Sequence, residues 1–285
     1  NFYVGAGFNA YGIAAGGGAG MALAEWIANG QPPYDLWPVD IRRFGKPHQD
    51  LEWVRKRTYE AYAKHYTMAW PFEEHSSGRP FQQSPIYENL KNANACFGEK
   101  LGWERPNWFA PKSMEPVDHY TYDRQNWFEK VGEEVKATRE KAVLIDQTSF
   151  AKFEISGPQA LDALEYLCAN NVNKGIGSTI YTQMLNNHGG IECDVTITRI
   201  QDDCFYLVTG TGFMTHDFDW IKSNLTEFPD VKIENVTYQK SVFSLMGPNS
   251  RQILEKVSSN DLSNEKFPFA SAQSVNIGDK IVRAI

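Results

Sequence analysis

The sequence is poor in residues that form disulfides or bind metals. It has four cysteines and six histidines, with no C-x-x-C motif and no histidine at metal-ligand spacing from another histidine or a cysteine. The pattern therefore predicts neither a zinc site nor a redox dithiol, and it suits a reducing compartment in which cysteines are small buried hydrophobes. The cysteines are Cys96, Cys168, Cys193 and Cys204.

Long apolar runs and an excess of positive charge are also missing. No run approaches the roughly 20 residues that a membrane span needs, and no signal peptide is recognisable. The net charge of −7 argues against non-specific binding to nucleic acid. We therefore expect a globular protein with neither a nucleic-acid nor a membrane partner. Because the sequence lacks an initiator methionine and stops abruptly, we also expect a fragment of a longer chain.

The amino-terminal glycines lack the spacing of the dinucleotide-binding fingerprint G-x-G-x-x-G. The pattern predicts a short buried strand over residues 2–4, then a glycine-dense turn, then a helix over Met21–Asn29. Three glycines in a row, Gly16 to Gly18, would let the backbone approach a ligand closely, and a helix start favours an anion or an electron-rich ring edge. A flavin- or nucleotide-binding turn and a tight strand-to-helix packing turn both fit this pattern.

Three segments differ in character. Residues 1–45 are interpreted as the end of a first domain, and residues 46–126 as an aromatic, proline-rich connecting segment with one clear helix over Leu51–Tyr66. Val54, Tyr59 and Tyr62 are expected to face inward from this helix. Residues 127–285 alternate strands and helices, and strands are predicted over Thr179–Leu185, Cys193–Ile200 and Cys204–Thr209. Within them FEISGPQALDALEYL and FSLMGPNSRQILEKV repeat a strand, a Gly-Pro pair and a helix, which indicates an internal duplication and an α+β domain.

One carboxylate in this third segment is a candidate site residue. Asp194 lies on a predicted strand whose Val195 and Ile197 are expected to face the core, which places Asp194 on the other face with Thr196 and Thr198. Beside a cavity, such a carboxylate suits the N–H of a heteroaromatic ligand. An ordinary exposed aspartate on a half-solvated sheet is the alternative that the pattern alone leaves open.

Taken together, these blocks resemble a known family. They are similar, in the same order, to blocks of the sarcosine and dimethylglycine dehydrogenases. The blocks are FNAYGIAAGGGAG with LAEWI, DIRRFGK, SSGRP, GWERPNWF, GSTIYTQMLNNHGGIECDVTITR and DLSNEKFPF. Within this family, the sequences of the blocks are most similar to the sarcosine dehydrogenase branch. The resemblance implies a mixed α+β and α/β fold: the end of a D-amino-acid-oxidase-like flavin domain, a connecting segment, and part of a domain similar to the folate-binding T-protein (aminomethyltransferase) of glycine cleavage.

The resemblance also implies a chemistry. FAD would take a hydride equivalent from the N-methyl carbon of a small N-methyl amino acid, and tetrahydrofolate would capture the released one-carbon unit. Electrons would pass to an acceptor protein or to oxygen. The family implies a cytoplasmic location in a bacterium and the mitochondrial matrix in a eukaryote. The residues that match the flavin-ring segment are Gly12, Ile13, Gly16, Gly17 and Gly18.

The T-protein motif matches two further residues. A tyrosine thirteen residues before an aspartate lines the folate pocket of the T-protein, and Tyr181 and Asp194 keep that spacing. The resemblance implies that Asp194 holds or activates a folate nitrogen and so acts as a catalytic residue. Cys193 stands where the T-protein usually has a first aspartate, so only the second carboxylate is kept.

Two other functions remain open at this stage. The family includes a non-catalytic relative, the regulatory subunit of pyruvate dehydrogenase phosphatase, with the same domain order. A folate-binding module with no redox role is the other possibility, although the glycine-rich opening speaks against it. The sequence does not separate sarcosine from dimethylglycine as substrate.

Overall fold

The computed structural model describes residues 2–285, which divide into two compact units between Arg43 and Phe44. The predicted three-part division at 45/46 and 126/127 stays a prediction. No helix of the described residues has both the length and the apolar character that crossing a bilayer requires.

The first unit is built on one helix, α1, over Gly12–Asn29, followed by short 3₁₀ turns at Trp37–Val39 and Ile41–Arg43. The predicted strand over residues 2–4 is wrong, because these residues are irregular and no strand occurs within residues 2–43. The predicted helix start at Met21 is also wrong. Alanine has the highest helix propensity, and the three alanines interspersed among the glycines, Ala14, Ala15 and Ala19, extend the helix back to Gly12.

The second unit begins with the connecting segment. Helix α2 spans Leu51–Ala63, close to the predicted range, and the Asp50 carboxylate caps it by accepting from the N–H groups of Glu52 and Trp53. Tyr59 and Tyr62, expected to face inward, are exposed, whereas Trp53 is buried. The remaining elements are helix α3 over Tyr87–Asn92 and an antiparallel hairpin of β1, Ala95–Lys100, and β2, Trp103–Phe109.

The rest of the chain follows the predicted alternation of strands and helices. Helix α4 spans Phe128–Glu140, and β3, Val143–Asp146, pairs with β9, Phe243–Met246. An antiparallel sheet has the order β5-β6-β7-β4-β8. Its strands are β4 Ala151–Ser156, β5 Thr179–Leu185, β6 Ile191–Gln201, β7 Cys204–Thr209 and β8 Lys232–Asn235. The helices are α5 Ala160–Leu167, α6 Met214–Ser223 and α7 Ser250–Glu255, and the last hairpin is β10 Gln273–Ile277 with β11 Lys280–Ala284.

The main core lies between one face of this sheet and the helices α5 and α6. Alternate residues of the central strands are fully buried there, among them Phe153, Val195, Ile197 and Leu207. Leu164 of α5 and Ile221 of α6 complete the layer. The alternation leaves the other face of β5 and β6 available for polar side chains.

The internal duplication is visible in the backbone. Gly157 and Gly247, each followed by proline, both lie in the left-handed region, with φ of 129° and 119°. A side-chain carbon on Gly157 would overlap the carbonyl of Asp230, and one on Gly247 would overlap that of Lys141. Both strand-to-helix turns therefore require glycine for the same two reasons, conformation and close packing.

Candidate functional site

A cavity of about 680 Å³ lies against the polar face of β5 and β6. Thr179, Tyr181 and Thr196 line it on the sheet side. Helix α7 contributes Arg251 and Leu254 on the other side, together with the segment 267–271. The volume is that of a pocket for an organic ligand, and a mainly apolar lining with a few polar groups is typical of such pockets.

Two of the residues matched by the T-protein motif are brought together at this cavity. Tyr181 lines it directly, and Asp194 lies two residues along β6 from Thr196, on the same strand face. Tyr181 and Asp194 lie diagonally across β5 and β6, and interaction with the Asp194 carboxylate raises the pKa of Tyr181 above its usual value because it stabilises the neutral phenol. Tyr181 thus links the cavity lining to the carboxylate.

A third residue orients the carboxylate. Gln183 is paired with Asp194 across the two strands, and its Nε2 donates to Asp194 Oδ1 at 3.1 Å. Asp194 is otherwise exposed, whereas its neighbours Cys193 and Val195 are buried on the opposite face. The carboxylate is therefore held in place and still has acceptor capacity for a ligand N–H.

Arg251 is a site residue that sequence reasoning missed. It supplies a cation to the cavity lining, and its Nη2 donates to Asn264 Oδ1 at 2.6 Å. A guanidinium at a cavity wall suits a ligand carboxylate. The duplication places Arg251 on the second of two equivalent helices, but no sequence signal shows that α7 packs over the β5–β6 face.

The glycines expected at the flavin lie within α1 and not in a turn before a helix, which corrects that prediction. A side-chain carbon on Gly16, Gly17 or Gly18 would meet no other atom within 4 Å, and Ile13 is fully exposed. Packing among the described residues therefore does not explain the glycine run. A role of Gly12 and of these residues in binding FAD stays a prediction.

Comparison with known proteins decides the family. Residues 86–285 match the family model described as "GCVT N-terminal domain". The chain belongs to this family. Residues 29–84 match the model described as "FAD dependent oxidoreductase central domain", so the chain joins parts of two domains, as the resemblance implied.

Curated relatives match nearly the whole chain. The chain is 35% identical to mouse sarcosine dehydrogenase over 324 residues, and 36% identical to mouse dimethylglycine dehydrogenase over 287 residues, with 100% of the chain covered in both. It is 32% identical to the mouse pyruvate dehydrogenase phosphatase regulatory subunit, with 97% covered. The chain spans 35%, 33% and 32% of these proteins, about a third of their length.

A solved structure confirms the expected fold of the second unit. Glycine cleavage system aminomethyltransferase T from Bartonella henselae superposes with a TM-score of 0.54 at 23% identity, covering 67% of this chain and 47% of that one. The predicted mixed α/β architecture with an aminomethyltransferase-like domain is therefore confirmed. At this level of identity the likeness concerns the fold alone.

Proposed function

We propose that this chain is part of a flavin-dependent amine dehydrogenase that demethylates sarcosine or dimethylglycine and passes the one-carbon unit to tetrahydrofolate. The observation that carries the proposal is the Tyr181–Asp194 pair beside the 680 Å³ cavity. The joining of an oxidoreductase central domain to a GCVT domain in one chain supports it, as do the names of the relatives.

The cavity has the features that a folate would need. Its apolar lining suits a flat heteroaromatic ring, and Arg251 in the lining can pair with a carboxylate of the ligand. Asp194 lies outside the lining, on the same strand face as Thr196, and can accept from a ring N–H that reaches it. When bound, tetrahydrofolate supplies the nucleophilic nitrogen that captures the one-carbon unit, and FAD supplies the hydride acceptor for amine oxidation.

In this proposal the residues of the chain bind, orient and accept protons. Asp194 holds the N–H of the folate ring and takes the proton that the reacting nitrogen loses. Gln183 fixes the carboxylate, and Tyr181 covers the sheet side of the cavity. Gly16 to Gly18 present backbone without side-chain carbons, which would allow the flavin to approach, and Gly12 and the exposed side chain of Ile13 would lie beside it.

The partners of the whole protein follow from the same proposal. Its substrate is a small N-methyl amino acid, and its electrons pass to an electron-transfer protein or to oxygen. Relatives named as mitochondrial support a matrix location for a eukaryotic source, and a bacterial source would place it in the cytoplasm.

The test measures two activities of the full-length protein separately. A visible absorbance spectrum detects flavin, and titration with tetrahydrofolate monitored by fluorescence measures binding at the cavity. We expect bound flavin, oxidation of sarcosine or dimethylglycine, and folate binding that Asp194→Asn weakens. Full-length protein without flavin and without amine oxidation would overturn the proposal and favour a regulatory role. Flavin with no folate binding would overturn the one-carbon transfer alone.

A further inference from the structure

A second cluster of reactive side chains lies on the core side of β6, behind the proposed folate site. Cys193 of β6 meets His216 and Asp217 of α6, and a sulfur, a ring nitrogen and a carboxylate oxygen of these residues lie within 4.8 Å of one another. Sequence spacing gave no sign of the cluster, because β6 and α6 are separated by the whole of β7.

A bulge brings Glu192 to the edge of the His216 ring that points away from Asp217. Met184 pairs with Cys193, but Leu185 pairs with Ile191, so Glu192 is an extra residue in β6. Bulges redirect side chains next to functional sites. The result here is that Glu192 Oε2 lies 3.4 Å from His216 Nε2, while Glu192 Oε1 accepts from Asn186 Nδ2 at 2.8 Å.

The cluster is held by its surroundings. Asp217 is 1% exposed, its Oδ2 accepts from the Thr209 hydroxyl at 2.6 Å, and its Oδ1 lies 2.9 Å from His216 Nδ1. Cys193 is equally buried, but the side chains of His216 and Glu192 keep 17% and 26% of their surface exposed. The groups are thus preorganised on the inside and reachable from solvent at one edge.

We propose that Cys193, His216 and Asp217 bind a divalent transition-metal ion, with zinc the best match, that water is the fourth ligand, and that Glu192 supports the other edge of the His216 ring. A thiolate, an imidazole and a carboxylate are the ligand types that zinc takes in proteins. Binding is redox-neutral: the Cys193 thiol loses its proton to solvent and a sulfur–zinc bond forms. The His216 ring exchanges a hydrogen bond for coordination, and Thr209 keeps the Asp217 carboxylate oriented.

The first test needs no variant. The full-length protein is stripped with a chelator and titrated with Co²⁺, whose absorption reports both the ligands and the geometry. We expect a thiolate-to-cobalt charge-transfer band that saturates at one equivalent and that Zn²⁺ abolishes. Cobalt binding without a thiolate band, or no binding, would overturn the proposal.

The second test assigns the ligands by titrating Zn²⁺ calorimetrically into matched variants. Cys193→Ser and His216→Asn should each weaken binding by more than about 100-fold, since loss of a ligand exceeds the 10- to 100-fold effect of losing its support. Thr209→Val should weaken it by roughly 10-fold. Cys204→Ser and His188→Asn, which lie outside the cluster, should bind like the unaltered protein. Unchanged zinc affinity in folded Cys193→Ser would refute the assignment.

Discussion

Gln183 and Asp194 face each other across β5 and β6, joined by a hydrogen bond of 3.1 Å on the polar face of the sheet. Because Asp194 is exposed and its fixing partner is a neutral amide, Asp194→Asn should change the free energy of unfolding by less than about 1 kcal/mol. In the full-length protein, amine oxidation should continue while coupled formation of methylene-tetrahydrofolate falls and free formaldehyde appears.

Product analysis with and without tetrahydrofolate measures this effect. Asp162→Asn on the exposed side of α5 is the matched control and should leave the coupling intact. An Asp194→Asn protein with undiminished folate binding and one-carbon capture would return Asp194 to the status of an ordinary strand carboxylate.

The glycines of α1 offer a pair of substitutions with opposite expected effects. Gly17 lies within the helix with open space around it, so Gly17→Ala should stabilise α1 by about 1 kcal/mol through helix propensity. In the full-length protein, the larger and branched side chain of Gly17→Val should occupy space that the flavin needs and leave apoprotein. Flavin content per chain and thermal unfolding measure the two effects, and a full flavin complement in Gly17→Val would exclude contact between Gly17 and the flavin.

Glu60 anchors the loop after α2. Burial opposes its ionisation, but hydrogen bonds from Lys64 and from the N–H groups of Ser76 and Ser77 outweigh it and hold its pKa well below the usual 4.5. Glu60→Gln should therefore cost about 2 kcal/mol of stability at pH 7. A lowered folded-state pKa stabilises above the unfolded value, so the cost should shrink as pH falls below about 4.5.

Urea unfolding at a series of pH values measures this difference. Glu129→Gln, at a largely exposed position of α4, is the control and should cost little at any pH. A difference in the free energy of unfolding between wild type and Glu60→Gln that stays constant down to pH 2 would contradict the assignment.

Lys152 is a fully buried amine whose Nζ donates to the Thr148 carbonyl at 2.6 Å. Burial lowers its pKa from 10.5 to about 8, against the opposing charge of Asp146. The unfolded chain binds more protons between these two values, so wild-type stability should rise by about 3 kcal/mol as pH increases from 8 to 10.5.

Lys152→Met removes the titrating group and should be roughly 2 kcal/mol more stable at pH 7, after allowing for the lost hydrogen bond. Its advantage over wild type should narrow toward pH 10.5. Lys232→Met, at an exposed position of β8, should show neither effect in the same denaturant series. If the free energy of unfolding changed with pH in the same way for wild type and Lys152→Met, the inference would be refuted.

The fold was predictable where a local period carried the signal. β5 has the predicted bounds, because its burial alternates every two residues, and β7 also has them, as a short apolar strand that is buried along most of its length. The start of α1 was not predicted correctly, since the glycine spacing favours a turn while the interspersed alanines favour a helix. The predicted inner face of α2 was wrong, because Trp53 and not the tyrosines packs against other rings. One of them is Phe81, with the two ring centroids 6.2 Å apart.

The candidate site was predictable in part, and only through resemblance. Tyr181 and Asp194 could be paired because the T-protein motif keeps their spacing, and the structure places them on the same face of the paired strands β5 and β6. Arg251 and the cavity depend on how α7 and the segment 267–271 pack across the sheet, which no local pattern encodes. The meeting of Cys193 with His216 depends on a bulge and on helix placement, both set by the tertiary structure.

Cys193 and Asp194 are adjacent in sequence yet belong to two separate chemical compartments, one on each side of a single strand. They are kept apart because successive side chains of β6 point to opposite faces of the sheet. The extra residue at Glu192 determines which residues point to which face. Deleting one residue between the hairpin turn and Cys193 would keep both Cys193 and Asp194 but exchange the faces of the sheet to which their side chains point. A change of one residue in the length of the β5–β6 hairpin would therefore exchange the side chains on the two faces of β6, and with them the ligand that each face can bind.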